Sequence, residues 1–325
     1  MRHAAKILIV GGGAYGTAIA CTLASRSVNE IMMLVRSDEQ AETINNLRVN
    51  KIYLPDFKLP KAVKATTNSQ VIQEASIVFL ALPANNVIQF VKAHSSLIQS
   101  SSIVINLAKG LDEKYLTLDR AFLSVMKDVT FGALKGPNFA RSLLTYAPSG
   151  MTMAFSHNEK ESEERVRKIF SRSNVSLELW KNVTEVEFIG ALKNVFAIVV
   201  GVCDAIEENP NTRFLILKKV INEAHKLLVA NGFNPGVLLT YAGIGDLLMT
   251  AMNDSSRNRT LGLLIGRGFE FATQAAGPVM EGRRTISLLS ATLEKDLEDY
   301  PILHNLKKLF EQEISAVAFF REIVQ

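Results

Sequence analysis

Cysteine is almost missing from this chain. There are two, Cys21 and Cys203, far apart in sequence and both in apolar surroundings. Two such thiols make no disulfide scaffold and point to a reducing compartment, the cytoplasm. Histidine is sparse as well: His3, His94, His157, His225 and His304 are scattered without ligand spacing, so no metal site is expected. Neither sign of charge dominates. A formal net charge of +4 over 325 residues gives no basic stripe of the kind nucleic acid requires, but it suits small anions. The chain runs almost at once into "KILIV", which leaves no room for a signal peptide. Its most apolar window, Phe188 to Cys203, is shorter than the roughly 20 residues of a membrane span, and it holds Lys193. Low-complexity segments and repeats are also lacking.

What is present is an alternation. "KILIV" (Lys6 to Val10), "EIMMLV" (Glu30 to Val35), "SIVFLAL" (Ser76 to Leu82), "SIVINLA" (Ser102 to Ala108), "VTFGAL" (Val129 to Leu134), "GMTMAF" (Gly150 to Phe155) and "VSLELW" (Val175 to Trp180) read as buried strands. Amphipathic helices separate them, one of them over about Ala14 to Ser25 and one opened by the capping box "SDEQ" at Ser37 to Gln40. Strands that are apolar throughout and spaced by helices predict a parallel, doubly wound sheet covered on both faces, a Rossmann-type α/β domain. After Asn182 the strands stop and the pattern becomes helical to the end. We therefore expect a dinucleotide-binding domain over 1–182 and an all-α substrate domain over 183–325.

The turn after the first strand is "GGGAYG". Gly11, Gly13 and Gly16 have the G-x-G-x-x-G spacing, which allows a tight turn, a close backbone approach to a pyrophosphate and close helix–strand packing. A Gly-rich turn without a ligand is the competing reading. At the end of the second strand stands Arg36 rather than an acid, with Asp38 two residues on. A cation there accommodates a ribose 2′-phosphate, so NADP is favoured or accepted beside NAD; a solvated strand-end arginine is the alternative.

Three later stretches carry chemistry. "NLAKG" sets Lys109 just past a strand's carboxyl end, the edge where doubly wound sheets bind ligands. "GIGDLLMT" puts Asp246 and Thr250 four apart, on one face of a helix. "DSSRNRT" (Asp254 to Thr260) puts hydroxyls and arginines at a helix start, which suits a phosphate monoester. Beside these, Lys193 sits inside "VEFIGALKNVFAIVVGVC" (Val186 to Cys203), an apolar segment with no evident use for an ammonium group.

Taken together, "GGGAYGTA", "YLP" (Tyr53 to Pro55), Lys109–Gly110, "GPNFA" (Gly136 to Ala140), "ALKN" (Ala191 to Asn194), "GIGDL", "SRNR" (Ser256 to Arg259) and "EG" (Glu281, Gly282) resemble bacterial NAD(P)-dependent glycerol-3-phosphate dehydrogenase over nearly the whole chain. The resemblance implies that Lys193 is the general acid/base at the substrate C2 oxygen. Asp246 would orient it, and Thr250 completes the catalytic group. Lys109 would contact both substrate and nicotinamide. Gly136, Asn138, Asn194, Ser256, Arg257 and Asn258 are implied on the substrate, with Arg257 also touching the cofactor. Gly11, Gly13, Ala14, Tyr15, Gly16, Arg36, Tyr53, Lys109, Ala140, Val279 and Glu281 are implied as further cofactor contacts. A homodimer serving phospholipid synthesis is implied too.

Departures from the family pattern are "KKV" (Lys218 to Val220) in place of Thr-Arg-Gly, "EENPN" (Glu207 to Asn211) in place of a Gly-rich turn, Ser142 for an acid, Tyr15 for a tryptophan, and "AM" after Thr250. The altered segment from Glu207 to Val220 keeps open a catalytically impaired NAD(P)-binding paralogue; a related β-hydroxyacid or ketopantoate-type reductase, which shares this architecture and a helix lysine, is the other enzyme reading, with "SSRNR" against it. Single residues also have plainer readings. Lys193 could snorkel from a half-buried helix, Asp246 could cap a helix, and Arg257 and Arg259 could belong to a solvated face.

Overall fold

The structure is a computed structural model; it describes residues 6–24, 30–114, 116–269, 279–293 and 296–325, with the side chains of residues 279–281 outside that description. The chain forms two compact units. One contains residues 1–108 and 117–186, the other residues 109–116 and 187–325.

The first unit is built in chain order from β1 (Ile7–Val10), α1 (Ala14–Ala24), β2 (Ile31–Leu34), α2 (Asp38–Glu42), β3 (Val63–Thr66), β4 (Ile77–Leu80), α3 (Ala84–His94), β5 (Ile103–Asn106), α4 (Leu118–Leu123), β6 (Thr130–Lys135), α5 (Ala140–Leu144), β7 (Ser149–Phe155), α6 (Glu159–Phe170) and β8 (Val175–Leu179). The strands form one sheet in the order β3-β2-β1-β4-β5-β6-β7-β8. The first six run parallel, from β1 beside β2 and β4 out to β6. β1, β4 and β5 are buried at every position. This follows from their unbroken apolar sequences, which need a helix layer on each face.

Two details depart from the sequence reading. β7 pairs antiparallel to β6, and β8 then runs parallel to β7. The connection over residues 136–148 carries only the five-residue α5, too little to recross the sheet as a parallel connection must. The strand β3 was also not expected. Its sequence, Val-Lys-Ala-Thr, alternates buried and exposed residues as an edge strand does, and four alternating residues make a weak signal.

α7 (Val183–Ile206) begins in the first unit and continues into the second. At 24 residues it extends well beyond the apolar window Phe188–Cys203. It is long and apolar enough to cross a membrane, but that stretch lies wholly buried in the protein, as a core helix does. The second unit adds α8 (Pro210–Ala230), α9 (Asp246–Met252), α10 (Arg257–Gly266), α11 (Val279–Thr292), α12 (Pro301–Phe310) and α13 (Ala316–Val324), and contains no strand among its described residues.

Two features fix this helical unit. α7 and α10 meet at backbone distance: a Cβ on Gly201 would lie 2.3 Å from the Arg259 carbonyl oxygen, and one on Gly262 would lie 2.2 Å from that of Ile198. Only glycine permits such an approach. One buried carboxylate, Asp204 at the end of α7, then ties three helices. It accepts from Arg213 Nε of α8 at 2.9 Å and from Arg259 Nη1 of α10 at 2.7 Å.

Candidate active site

Lys193 does not stand alone in its apolar helix. Its Nζ donates to Asp246 Oδ1 at 3.1 Å and to Thr250 Oγ1 at 2.9 Å. The other carboxylate oxygen of Asp246 takes a hydrogen bond from Lys109 Nζ. Two ammonium groups therefore share one fully buried carboxylate. Burial pulls the Asp246 carboxyl upward, but the charges of Lys109 and Lys193 and their hydrogen bonds outweigh it and hold it below the ordinary aspartate range. Asp246 is thus an anion that anchors two cations in a place with little water.

Local sequence builds this cluster. Thr240 Oγ1 accepts from the Gly243 amide at 3.2 Å and opens a turn over Tyr241–Gly245 that leads into α9. A Cβ on Gly243 would lie 2.4 Å from the carbonyl oxygens of Val237 and Leu238, which accounts for a glycine in "GIGDL". Asp246 is the first residue of α9, where the helix dipole favours an anion. Thr250, one turn later, donates back to Asp246 Oδ1 at 3.3 Å.

An amide chain extends the cluster. Asn194 Nδ2 donates to the Lys109 carbonyl at 3.0 Å, and Asn258 Nδ2 donates to Asn194 Oδ1 at 2.8 Å. Lys109, Lys193, Asn194, Asp246, Thr250 and Asn258 are therefore brought together. Ser256 caps α10, its Oγ accepting from the Arg259 amide at 3.3 Å, and Arg257 opens that helix with its side chain exposed. Arg259 is neither a solvated residue nor a free anion receptor. It is buried and bound to Asp204, and its Nε makes an ion-pair contact with Asp254 at 3.2 Å, off the hydrogen-bond direction.

In the first unit the glycine turn has the shape a dinucleotide needs. Gly11 has φ +114°, and a Cβ there would strike the Ala81 carbonyl oxygen at 2.5 Å. Gly16 lets α1 pack on β1, since a Cβ would lie 2.4 Å from the Gly11 carbonyl oxygen. Gly13 differs: nothing lies within 4 Å of where its Cβ would be. No internal packing requires glycine at 13, so the open space beside it is a cradle that a pyrophosphate can fill. The first turn of α1 at Ala14 presents its amide ends there. These residues fit a dinucleotide cofactor.

The remaining expected residues fall as follows. Arg36 is exposed just after β2, while Asp38 accepts from Thr67 Oγ1 at 2.6 Å. Tyr15 and Ala140 pack against the core of the first unit, and Tyr53 is largely exposed. Gly136 approaches Gly150, whose carbonyl oxygen a Cβ would meet at 2.3 Å. Asn138 Nδ2 donates to that same carbonyl at 3.0 Å, and its buried Oδ1 has no hydrogen-bond partner among the described residues. The side chains of Val279 and Glu281 lie outside the described residues. Burial pushes the thiols of Cys21 and Cys203 up to about 12, so neither serves as a nucleophile.

Sequence reading missed Asp204. The available signal was an acid closing an otherwise apolar helix, which also reads as a plain helix end.

Comparison with known proteins agrees with this geometry. The family model for the NAD-dependent glycerol-3-phosphate dehydrogenase N-terminus matches residues 6–161, and that for its C-terminus matches residues 182–321. A glycerol-3-phosphate dehydrogenase [NAD(P)+] of Halothermothrix orenii is 33% identical over 86% of this chain and 82% of its own. The protein of that name from Lawsonia intracellularis is 31% identical over 97% of this chain and 92% of its own. Among solved structures, glycerol-3-phosphate dehydrogenase from Coxiella burnetii shares the fold with a TM-score of 0.90 at 22% identity, over 99% of both chains. With both family models matched and such identity over most of its length, the chain belongs to the NAD-dependent glycerol-3-phosphate dehydrogenase family.

Proposed function

We propose that this chain interconverts dihydroxyacetone phosphate and sn-glycerol 3-phosphate, with Lys193 as the group that moves the proton. The carrying observation is the cluster in which Lys193 and Lys109 share Asp246 and Thr250 holds the Lys193 ammonium from the side. When bound, the reduced nicotinamide supplies a hydride to C2 of the ketone. Lys193 Nζ then gives a proton to the C2 oxygen and takes it back in the reverse direction. Asp246 keeps the ammonium oriented throughout, since its own proton stays off. Lys109 adds positive charge where negative charge develops on the substrate oxygen.

The phosphate end is assigned to the start of α10. Arg257 offers a planar fork, and the amides of a capped helix N-terminus accompany it. Residues 1–182 are assigned to the dinucleotide and 183–325 to the substrate. The ketopantoate-type alternative needs a carboxylate clamp, and the Ser-Arg-Asn-Arg helix start suits a phosphate monoester better. We further assign the protein to the cytoplasm, as a homodimer feeding phospholipid synthesis.

The deciding experiment is NADPH oxidation with dihydroxyacetone phosphate beside a 2-keto carboxylate. Turnover of the phosphate ester alone is expected. Turnover of the carboxylate alone transfers the chain to the reductase reading, and no turnover of either, with NADPH still bound, marks an impaired paralogue.

A further inference from the structure

Gly12 is the middle glycine of the turn, and the G-x-G-x-x-G spacing gives it no task. Its carbonyl oxygen accepts from two side-chain amides, Gln40 Nε2 at 2.7 Å and Asn50 Nδ2 at 2.8 Å. Asn50 is wholly buried. It also donates to Thr17 Oγ1 at 2.8 Å and accepts from Gln40 Nε2 at 3.2 Å. A Cβ on Gly12 would come 2.6 Å from Gln40 Oε1 and 2.7 Å from Nε2, so glycine here makes room for the amide. Gln40 is itself placed by the N-cap of α2, where its backbone amide donates to Ser37 Oγ at 3.1 Å. Two side chains, 28 and 38 residues along the chain from Gly12, thus converge on its carbonyl.

The peptide joining Gly12 to Gly13 is planar and trans. Holding its C=O fixes the direction of the Gly13 N–H, which points the opposite way. Gly13 is the residue with open space beside it. A carbonyl oxygen offers two lone pairs; here two buried amides, linked to each other, take it together and make a rigid clamp.

We propose that Gln40 and Asn50 are positioning residues for the cofactor: by holding the Gly12 carbonyl they aim the Gly13 N–H at the pyrophosphate before it arrives. The benefit is preorganisation, since a turn already in its bound geometry loses less freedom on binding. The inference rests on the reading of the glycine turn as the pyrophosphate site.

The test uses Gln40→Met and Asn50→Leu, which keep shape and remove the donor. Binding of NADPH, ADP-ribose and adenosine 2′-phosphate is measured by calorimetry, beside melting temperature and steady-state kinetics. Each variant should raise the Kd for NADPH and ADP-ribose about tenfold. Affinity for adenosine 2′-phosphate, which has no pyrophosphate, should hold. At saturating NADPH, kcat and the KM for dihydroxyacetone phosphate should stay near the parent values. Parent Kd values in the folded variants, or equal weakening of all three ligands, overturn the inference. If Asn50→Leu does not fold, Gln40→Met alone decides. Gly13→Val separates the two readings. If it leaves NADPH affinity intact, the turn is not the pyrophosphate site; if it abolishes binding while Gln40→Met and Asn50→Leu bind normally, the clamp alone fails.

Discussion

At the residue scale, an ammonium in an apolar helix is explained by its counter-ion. Lys193→Met preserves volume and leaves Asp246 paired with Lys109, so the fold should persist while the chemical step falls by about 10²–10⁴. A single-turnover rate at the parent level would remove Lys193 from the mechanism. Asp246→Asn should do broader damage, because two ammonium groups lose the fully buried charge they share. A stability loss of about 3–5 kcal/mol is expected, read from the urea midpoint. The pH dependence has a definite sign. The folded carboxyl lies below its ordinary range, so its contribution is present above the unfolded value and is lost as pH falls through the folded one. The variant should therefore lack that part of the acid limb, below roughly pH 4. Arg36 makes a separate case. Exposed just past β2, it is unrestrained enough to meet a 2′-phosphate, and Arg36→Asp should weaken NADPH far more than NADH. Equal losses in the two titrations would cancel its role in cofactor choice.

At the scale of elements, two carboxylates join helices and have different consequences. Glu223 of α8 is buried and accepts from the amides of Ile302 and Leu303, both at 2.8 Å, so it caps α12 from a distance. Burial pushes its carboxyl up to about 7, against the pull of those two amides. A raised acid stabilises fully below its unfolded pKa, and that stability is lost as pH rises through the folded one. Between about pH 4.5 and 7 the protein should therefore lose on the order of 3 kcal/mol. Glu223→Gln should flatten that window in a melting series; an unchanged slope would mean that another group titrates. Asp204 acts on the site's geometry. Its bond to Arg259 fixes the first turn of α10, the helix that opens with Arg257. Arg257→Ala, which removes a charge-assisted contact, should raise the KM for dihydroxyacetone phosphate by about 2–5 kcal/mol equivalent. Asp204→Asn should raise it less and add little to the Arg257→Ala effect, because both act through the same turn. Strict additivity in the double mutant would show that they are independent.

On the scale of the whole molecule, the cofactor should couple to stability. Ligand that binds only the folded chain raises its stability by about 2.7 kcal/mol at 100 times Kd. NADPH at that excess should therefore shift the melting temperature upward, and no shift would contradict the fit of the glycine turn. Much of this protein was written locally. Apolar runs such as Ile7–Val10 and Ile77–Leu80 determined the buried strands, the glycine spacing determined the turn and its helix, and the order of "KN", "GIGDL" and "SRNR" carried the family. Local patterns work here because burial, capping and tight turns impose their requirements on neighbouring residues. The rest was decided by what the chain brings together from a distance. No spacing announces that Lys109 and Lys193 share Asp246, that Asn50 reaches the Gly12 carbonyl, or that Arg259 is bound to Asp204 while Arg257 stays exposed. The reversal of β7 and the edge strand β3 depended on a connection length and on a neighbour in the sheet. Side chains meet across such distances only when the backbone has folded, and a buried charge becomes interpretable only when its partner is known.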